Sequence, residues 1–372
     1  MFEKIKGQEK AISILKNAIE TDKIAHSYLF YGPDGVGKFT TALYFGMAIN
    51  CHSTLEKRPC GICPSCKKFL SFSHPDFLFV FPFPKEKDKD ISIEGEIKVE
   101  KILQEYESYI ENKIKTPWKE FHFTKNIGIR IASIRMLENR IKLSPNEGNY
   151  KVYIIENAET MGIQAANAFL KTLEEPPTDT VLILTTSKPN SLLPTILSRC
   201  QQVPFLPVSR KIIEKELEEN KFLENIEAKM FARIAHGNME KALQLVEKGT
   251  TASREETIEF LNILIAQDDL RFIDFANRYK TSKTQSQLME IISHLIIWIS
   301  DISYFKNFPS EIVNLDKTDM LETLYHQNPN IDEYAPKILE FLELMLKKLA
   351  GHVNPQLIII GIYNKLSEIF FG

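Results

Sequence analysis

The pattern of apolar and polar positions along the chain changes character near residue 209. Before it, short apolar runs alternate with stretches whose apolar residues recur every three or four positions; after it, strand signals nearly vanish. Ser27-Tyr-Leu-Phe-Tyr31, the run His74–Phe81, Lys151-Val-Tyr-Ile-Ile-Glu156-Asn157 and Thr180–Thr186 read as buried strands. Between them, helical spacing puts Ala11, Ile12, Leu15, Ala18 and Ile19 on one face of residues 8–21. Further helices are expected from Phe39 to about Asn50, over Ile131–Leu143, and from Met161 to Glu175, where Pro176-Pro177 stop the last. A short helix is expected to lead into Ser198-Arg199-Cys200. Strands alternating with helices predict a parallel sheet in a doubly wound α/β domain.

Residues 82–127 depart from this pattern. Lysines and acids dominate after Pro82 and Pro84, and Ile97–Ile114 has the spacing of an amphipathic helix. The expected reading is a solvated surface insertion. Past the change of pattern, residues 211–247 read as a small helical bundle and 253–372 as a larger one. The apolar periodicity is clearest in Leu288–Ile302 and Ile338–Leu349.

Length and charge narrow the class. A chain of 372 residues that is 44% hydrophobic has core material for two or three domains. A net charge of −3 argues against a free-standing nucleic-acid binder of strongly basic type, so any DNA contact is expected from a local patch or an assembly. No apolar run approaches the ~20 residues of a membrane span and no signal peptide is evident, which predicts a cytoplasmic protein. Five cysteines in that setting are expected to be metal ligands or free thiols rather than disulfides.

Two motifs carry chemistry. Gly32-Pro-Asp-Gly35-Val-Gly37-Lys38 lies between a strand and a helix start, the context of a phosphate loop. Its glycines let backbone N–H groups approach phosphates, the helix end adds partial positive charge, and Lys38 reaches the outer phosphates. The hydroxyl that should follow the lysine and ligate magnesium is missing: Phe39 stands there, and Thr40 lies ~100° further round the helix. The second motif is Cys51, Cys60, Cys63 and Cys66, four thiols close enough in sequence for a closed tetrahedral zinc site that is structural rather than hydrolytic. An iron–sulfur cluster uses similar ligands at wider spacing. Cys200 lies far from these and is expected to be a packed thiol.

Taken together, these and several other stretches resemble the bacterial DNA polymerase III clamp-loader subunits of the AAA+ class, the delta-prime type more than the gamma type. The matching pieces are Gly7-Gln8, His26-Ser-Tyr-Leu-Phe30, the four cysteines, His74-Pro75-Asp76 and Pro145-Asn-Glu-Gly148 ahead of Lys151. Leu170-Lys-Thr-Leu-Glu-Glu-Pro-Pro177 and Leu197-Ser-Arg-Cys200 complete the set, which spans residues 1–205; the 82–127 segment exceeds the family pattern, and the last third matches only in its helical character. The resemblance implies an α/β AAA+ P-loop domain over 1–208, carrying a zinc module at 51–66. It implies a helical lid over 209–250 and an all-α collar over 251–372. Implied partners are the other clamp-loader subunits (gamma/tau and delta type), with the sliding clamp and primer-template DNA met through the assembled complex.

Within that family, hydrolysing members carry Asp-Glu at the end of the third long strand, for magnesium and for the attacking water. This chain has Glu156-Asn157 there, and Glu240 appears where hydrolysing members carry a lid arginine, with Lys241 beside it. With Phe39, these departures predict a site made of Gly32, Gly35, Gly37, Lys38, Thr40, Glu156 and Asn157 in which ATP or ADP is weakly held or absent. Arg199, by contrast, is intact, and the resemblance gives it the role of a finger reaching a neighbour's γ-phosphate. The expected function is a non-hydrolysing stator. A gamma-type ATPase subunit is the alternative, and an unrelated P-loop kinase would leave the cysteines and the Leu170–Pro177 stretch unexplained.

Overall fold

A computed structural model describes residues 1–84, 100–116, 127–221, 223, 225–248, 251–281, 284–351 and 353–371. It divides into two units, one of residues 1–212 with 237–241 and the other of residues 213–236 with 242–372.

The first unit follows the alternation in the sequence. Helix α1 (Glu9–Glu20) leads to β1 (Ser27–Tyr31) and α2 (Lys38–Ile49), then α3 (Pro64–Leu70), β2 (Phe77–Val80) and the short β3 (Phe83–Pro84). Helix α4 (Glu100–Lys115), β4 (Ile127–Gly128), α5 (Ile131–Ile141), β5 (Lys151–Ile155), α6 (Ile163–Glu174), β6 (Thr180–Thr186), α7 (Pro194–Leu197) and β7 (Gln201–Pro204) follow. Five strands form a parallel sheet in the order β2-β5-β6-β1-β7, and β3 pairs antiparallel with β4. Both faces of the sheet are apolar because alternate residues serve opposite layers. Tyr28, Phe30, Val152, Ile154, Val181 and Ile183 join the core with α1, α2 and α3. Leu29, Tyr153, Ile155, Leu182 and Leu184 join the core with α5, α6 and α7. This is the α/β P-loop AAA+ architecture the sequence predicts.

Strand β7 was not foreseen from the pattern. Only Val203 of its side chains is fully buried, Gln201 and Gln202 are exposed, and it sits at the sheet edge against β1 alone, where Pro204 removes no ladder bond that matters. Side chains remote in sequence tie the unit together. Gln8 donates through Nε2 to the Leu206 carbonyl at 2.7 Å and accepts from its N–H at 3.0 Å, pairing like a strand. Asp76 accepts from the N–H groups of Asn146 (2.6 Å), Glu147 (2.8 Å) and Gly148 (2.7 Å). Burial alone would push the Asp76 carboxyl up, but those three amides outweigh it and hold it below the ordinary carboxylate range.

The second unit is helical: α8 (Arg210–Lys221, which begins in the first), α9 (Asn225–Ala235), α10 (Met239–Lys248, whose residues 239–241 belong to the first), α11 (Thr251–Ala266), α12 (Asp269–Asn277), α13 (Gln285–Tyr304), α14 (Thr318–Gln327), α15 (Ile331–Ala350) and α16 (Pro355–Phe371). Helix α13 runs through its centre with Ile291, Ile292, Leu295, Trp298, Ile299 and Ile302 buried. Arg233 of α9 bonds Asp301 of α13 at 2.9 Å, and Asp301 also accepts from the Asn314 N–H at 2.9 Å and its side-chain amide at 2.8 Å. No helix of the described residues is long and apolar enough to cross a membrane.

Candidate functional site

The phosphate loop turns from the end of β1 into α2, as the glycine spacing predicts. A Cβ on Gly32 would lie 2.2 Å from the Phe205 carbonyl oxygen, and one on Gly35, at φ +67°, would lie 1.8 Å from Asn238 Oδ1. Both positions therefore demand glycine. The Glu240 N–H donates to the Gly35 carbonyl at 3.2 Å, so the residue where the family resemblance expects an arginine meets the loop with its backbone. The buried Lys38 ammonium turns back on its own loop, donating to Gly32 O at 2.8 Å and Pro33 O at 2.5 Å, 3.8 Å from Asp34. Gly37 caps α2 in the left-handed region. Among the described residues, the buried Thr40 Oγ1 has no hydrogen-bond partner.

Phe39 is buried, its ring centroid 4.7 Å from that of Phe79 on β2 and 6.1 Å from that of Phe72. Facing it, Glu156 at the end of β5 is already bonded. Lys113 of α4 donates to Glu156 Oε1 at 2.7 Å, and the Tyr109 hydroxyl donates to Oε2. The same ammonium stands 4.3 Å over the Phe39 ring. Tyr109 stacks on Phe81 at 4.3 Å, and Tyr106 on Phe81 at 5.7 Å. The solvated insertion expected at 82–127 is thus corrected over α4, where Tyr109 and Lys113 are buried; residues 85–99 and 117–126 lie outside the described residues. Asn157 follows at φ +52°, a conformation that asparagine tolerates, and its N–H donates to Thr185 Oγ1 at 3.2 Å. A magnesium nucleotide does not fit these residues: an aromatic ring replaces the hydroxyl, and an ammonium holds the carboxylate.

Arg199 lies between α7 and β7, with its side chain 34% exposed. Its guanidinium donates to the Thr195 carbonyl and to Glu174 Oε1, each at 3.0 Å, which joins the two most specific motif stretches, Leu197–Cys200 and Leu170–Pro177. Cys200 beside it is buried, and burial pushes its thiol up to about 11. It is far from the other cysteines' chemistry and packs as a thiol.

The four remaining cysteines converge. Cys51, Cys60, Cys63 and Cys66 place their sulfurs within 4.8 Å of one another, with Cys51–Cys63 at 4.0 Å and Cys60–Cys66 at 3.9 Å. A tetrahedron of sulfurs about 2.3 Å from zinc has edges of about 3.8 Å, so the donor set fits that ion. Backbone N–H groups point at the sulfurs: Cys63 N–H to Cys60 Sγ at 3.3 Å, and Cys66 N–H to Cys63 Sγ at 3.5 Å, the latter capping α3. Burial acts to raise the Cys60 thiol, yet the Ile62 and Cys63 amides outweigh it and lower it to about 6. Burial pushes Cys51 and Cys66 up.

The structure brings the four predicted cysteines together, whereas Lys113, Tyr109 and Asn238 were not among the residues expected from the sequence. A signal for the first two was present, since Tyr106, Tyr109, Ile110 and Lys113 recur at helical spacing on one stripe of α4.

Comparison with known proteins bears on the same residues. The model of a family described as "DNA polymerase III, delta subunit" matches residues 7–209. The chain is 31% identical over 260 residues to DNA polymerase III subunit delta' of Bacillus subtilis, covering 69% of this chain and 65% of that protein. It is 26% identical over 366 residues to subunit tau of the same organism, covering 93% of this chain and 57% of the relative. The chain thus spans less than two thirds of either relative's length. Among solved structures, a DNA polymerase III gamma subunit-related protein from Thermotoga maritima aligns over 96% of this chain and 99% of its own at 17% identity, with a TM-score of 0.45.

Proposed function

From the premise that the chain belongs to the DNA polymerase III delta-subunit family, we propose that it is a delta-prime-type stator of a clamp loader. In this reading it assembles with gamma/tau-type and delta-type subunits, and through the assembled ring serves to open a sliding clamp and place it on primer-template DNA. Residues 209–250 serve as the lid and 251–372 as the collar that joins the ring. The chain hydrolyses no ATP of its own and lends Arg199 to a neighbour's site.

One observation carries the choice of stator over gamma-type ATPase. Glu156, the carboxylate that would support metal chemistry, is spoken for by Lys113 and Tyr109, while Phe39 fills the place of the metal-ligating hydroxyl. Arg199, in contrast, is held near the surface by a carboxylate that a better anionic partner can displace. A planar guanidinium presented from outside a neighbour's pocket stabilises the charge that gathers on the departing γ-phosphate oxygens.

Zinc belongs to this reading as a structural element. Cys51, Cys60, Cys63 and Cys66 would hold it with no open position, so it would cross-link the 51–66 segment without doing chemistry.

The test is reconstitution. Arg199→Ala should leave folding, metal content and assembly intact and lower the DNA- and clamp-stimulated ATPase of the complete loader. The affected site should lose roughly 10³–10⁵ in rate, and total turnover less, because other sites keep their fingers. Arg199→Lys should fail nearly as badly, since a point charge lacks the planar fork. Unchanged ATPase in a fully assembled Arg199→Ala complex would refute the role.

A further inference from the structure

Helix α4 lies in the segment that exceeds the family pattern, and its Lys113 packs over the residue that follows the loop lysine. From its geometry we infer that α4 is a built-in plug and Lys113 a tethered cation, standing where a divalent metal would sit, so that this loop takes no magnesium nucleotide.

The placement is specific. In a working phosphate loop the metal is ligated from the residue after the loop lysine and served by the carboxylate at the end of a second strand of the same sheet. Here those positions are Phe39 and Glu156, and the Lys113 ammonium lies between them, 4.3 Å from the ring centroid and 2.7 Å from Oε1. A ring face and a carboxylate are both favourable neighbours for an ammonium, and the ring offers no ligand to magnesium, which demands oxygen donors. Tyr109 takes the second carboxylate oxygen, so neither oxygen faces an open metal position. The stack of Phe79, Phe81 and Tyr109 fixes the helix against β2, and Lys113, 2% exposed, is not a side chain that happened to fold inward. Phe39 and Lys113 explain each other: the ring closes a space that the ammonium then completes.

The inference deepens the stator reading. It is tested by binding to the isolated full-length chain, so that it can fail while Arg199's role in the complex stands, or the reverse. Affinity for a fluorescent ADP analogue is measured with excess magnesium and with EDTA, and Mn²⁺ binding is followed by electron paramagnetic resonance. Manganese is a hard ion with little preference for the thiolate knuckle. The unmodified chain should show no magnesium-dependent gain in nucleotide affinity, within about twofold, and no manganese near Glu156. Lys113→Ala combined with Phe39→Thr should gain at least tenfold in nucleotide affinity with magnesium over EDTA, and Glu156→Gln should abolish that gain. Circular dichroism and zinc content report whether the double variant is folded. If it is not, the unmodified chain decides: a Glu156-dependent magnesium effect or manganese signal there overturns the inference, and its absence supports it. A folded double variant that stays indifferent to magnesium also overturns it.

Discussion

The cysteine knuckle and the phosphate loop flank the same helix, α2, and have met opposite ends. Cys51 follows the helix's C-terminus; Gly37 and Lys38 form its N-terminus. The knuckle keeps a complete donor set, four sulfurs at tetrahedral spacing with backbone N–H groups turned toward them. In the phosphate loop a ring stands where the hydroxyl is expected, an ammonium lies 4.3 Å over that ring, and the loop lysine is folded onto its own carbonyls. A site that serves the fold loses stability when a ligand is lost. A site that serves catalysis can shed its ligands, provided other side chains satisfy the buried charge left behind.

The sharpest way to break this contrast is at the knuckle. Cys63→Ser should lower unfolding free energy by about 5 kcal/mol or more, the range associated with loss of a bound metal, and cut metal content well below one ion per chain. Denaturant unfolding with elemental analysis checks it, and an unmodified chain that purifies without zinc would erase the difference between the two sites. Next comes the filled loop. Lys113→Met leaves Glu156 buried without its cation and should cost about 3–5 kcal/mol, whereas Lys113→Met with Glu156→Leu should recover most of that. Additive single effects in the double variant would mean the two side chains do not act as a pair.

Asp76 provides a smaller effect with a signature in pH. Asp76→Asn should cost about 1–3 kcal/mol at neutral pH by weakening its grip on three amides. The carboxyl is depressed in the folded state, so its contribution is present above the unfolded value of about 3.9 and is lost as pH falls through the lower folded one. The gap between variant and parent should therefore narrow below about pH 4 in acid unfolding curves; a constant gap would assign the cost to packing. Least of all, Arg199→Ala should change stability by about 0–1 kcal/mol, because its pair with Glu174 is half in water. A larger loss would mark Arg199 as a structural residue.

What could be read from the sequence was what is encoded locally. Strand–loop–helix order, the run Thr180–Thr186 and the cysteine spacing each state their own structure within a few residues. Strand β7 was hidden because an edge strand buries little, and Gln201-Gln202 carry no apolar signal. Lys113 was hidden for a different reason. In Glu100–Lys115 it is one charge among many, and only the far end of β5 makes it a buried partner. The resembling motifs also include architecture: the Gln8 side chain holds the Leu206 backbone, and the Asp76 carboxylate holds the Asn146–Gly148 amides.

That last grip bears on how the chain can change length. Asp76 and Asn146–Gly148 stand just before β2 and β5, neighbouring parallel strands, so the loop of chain that runs from Asp76 through β2 and back to Asn146 is closed at its base. Once the ends of a connection are fixed, each doubling of its length adds only about 0.6 kcal/mol of closure entropy. Residues can be added between these strands at little expense to the register Phe77↔Val152 through Val80↔Ile155. The fold thereby offers a place where a new helix can be tried without unsettling the sheet, and α4 occupies it.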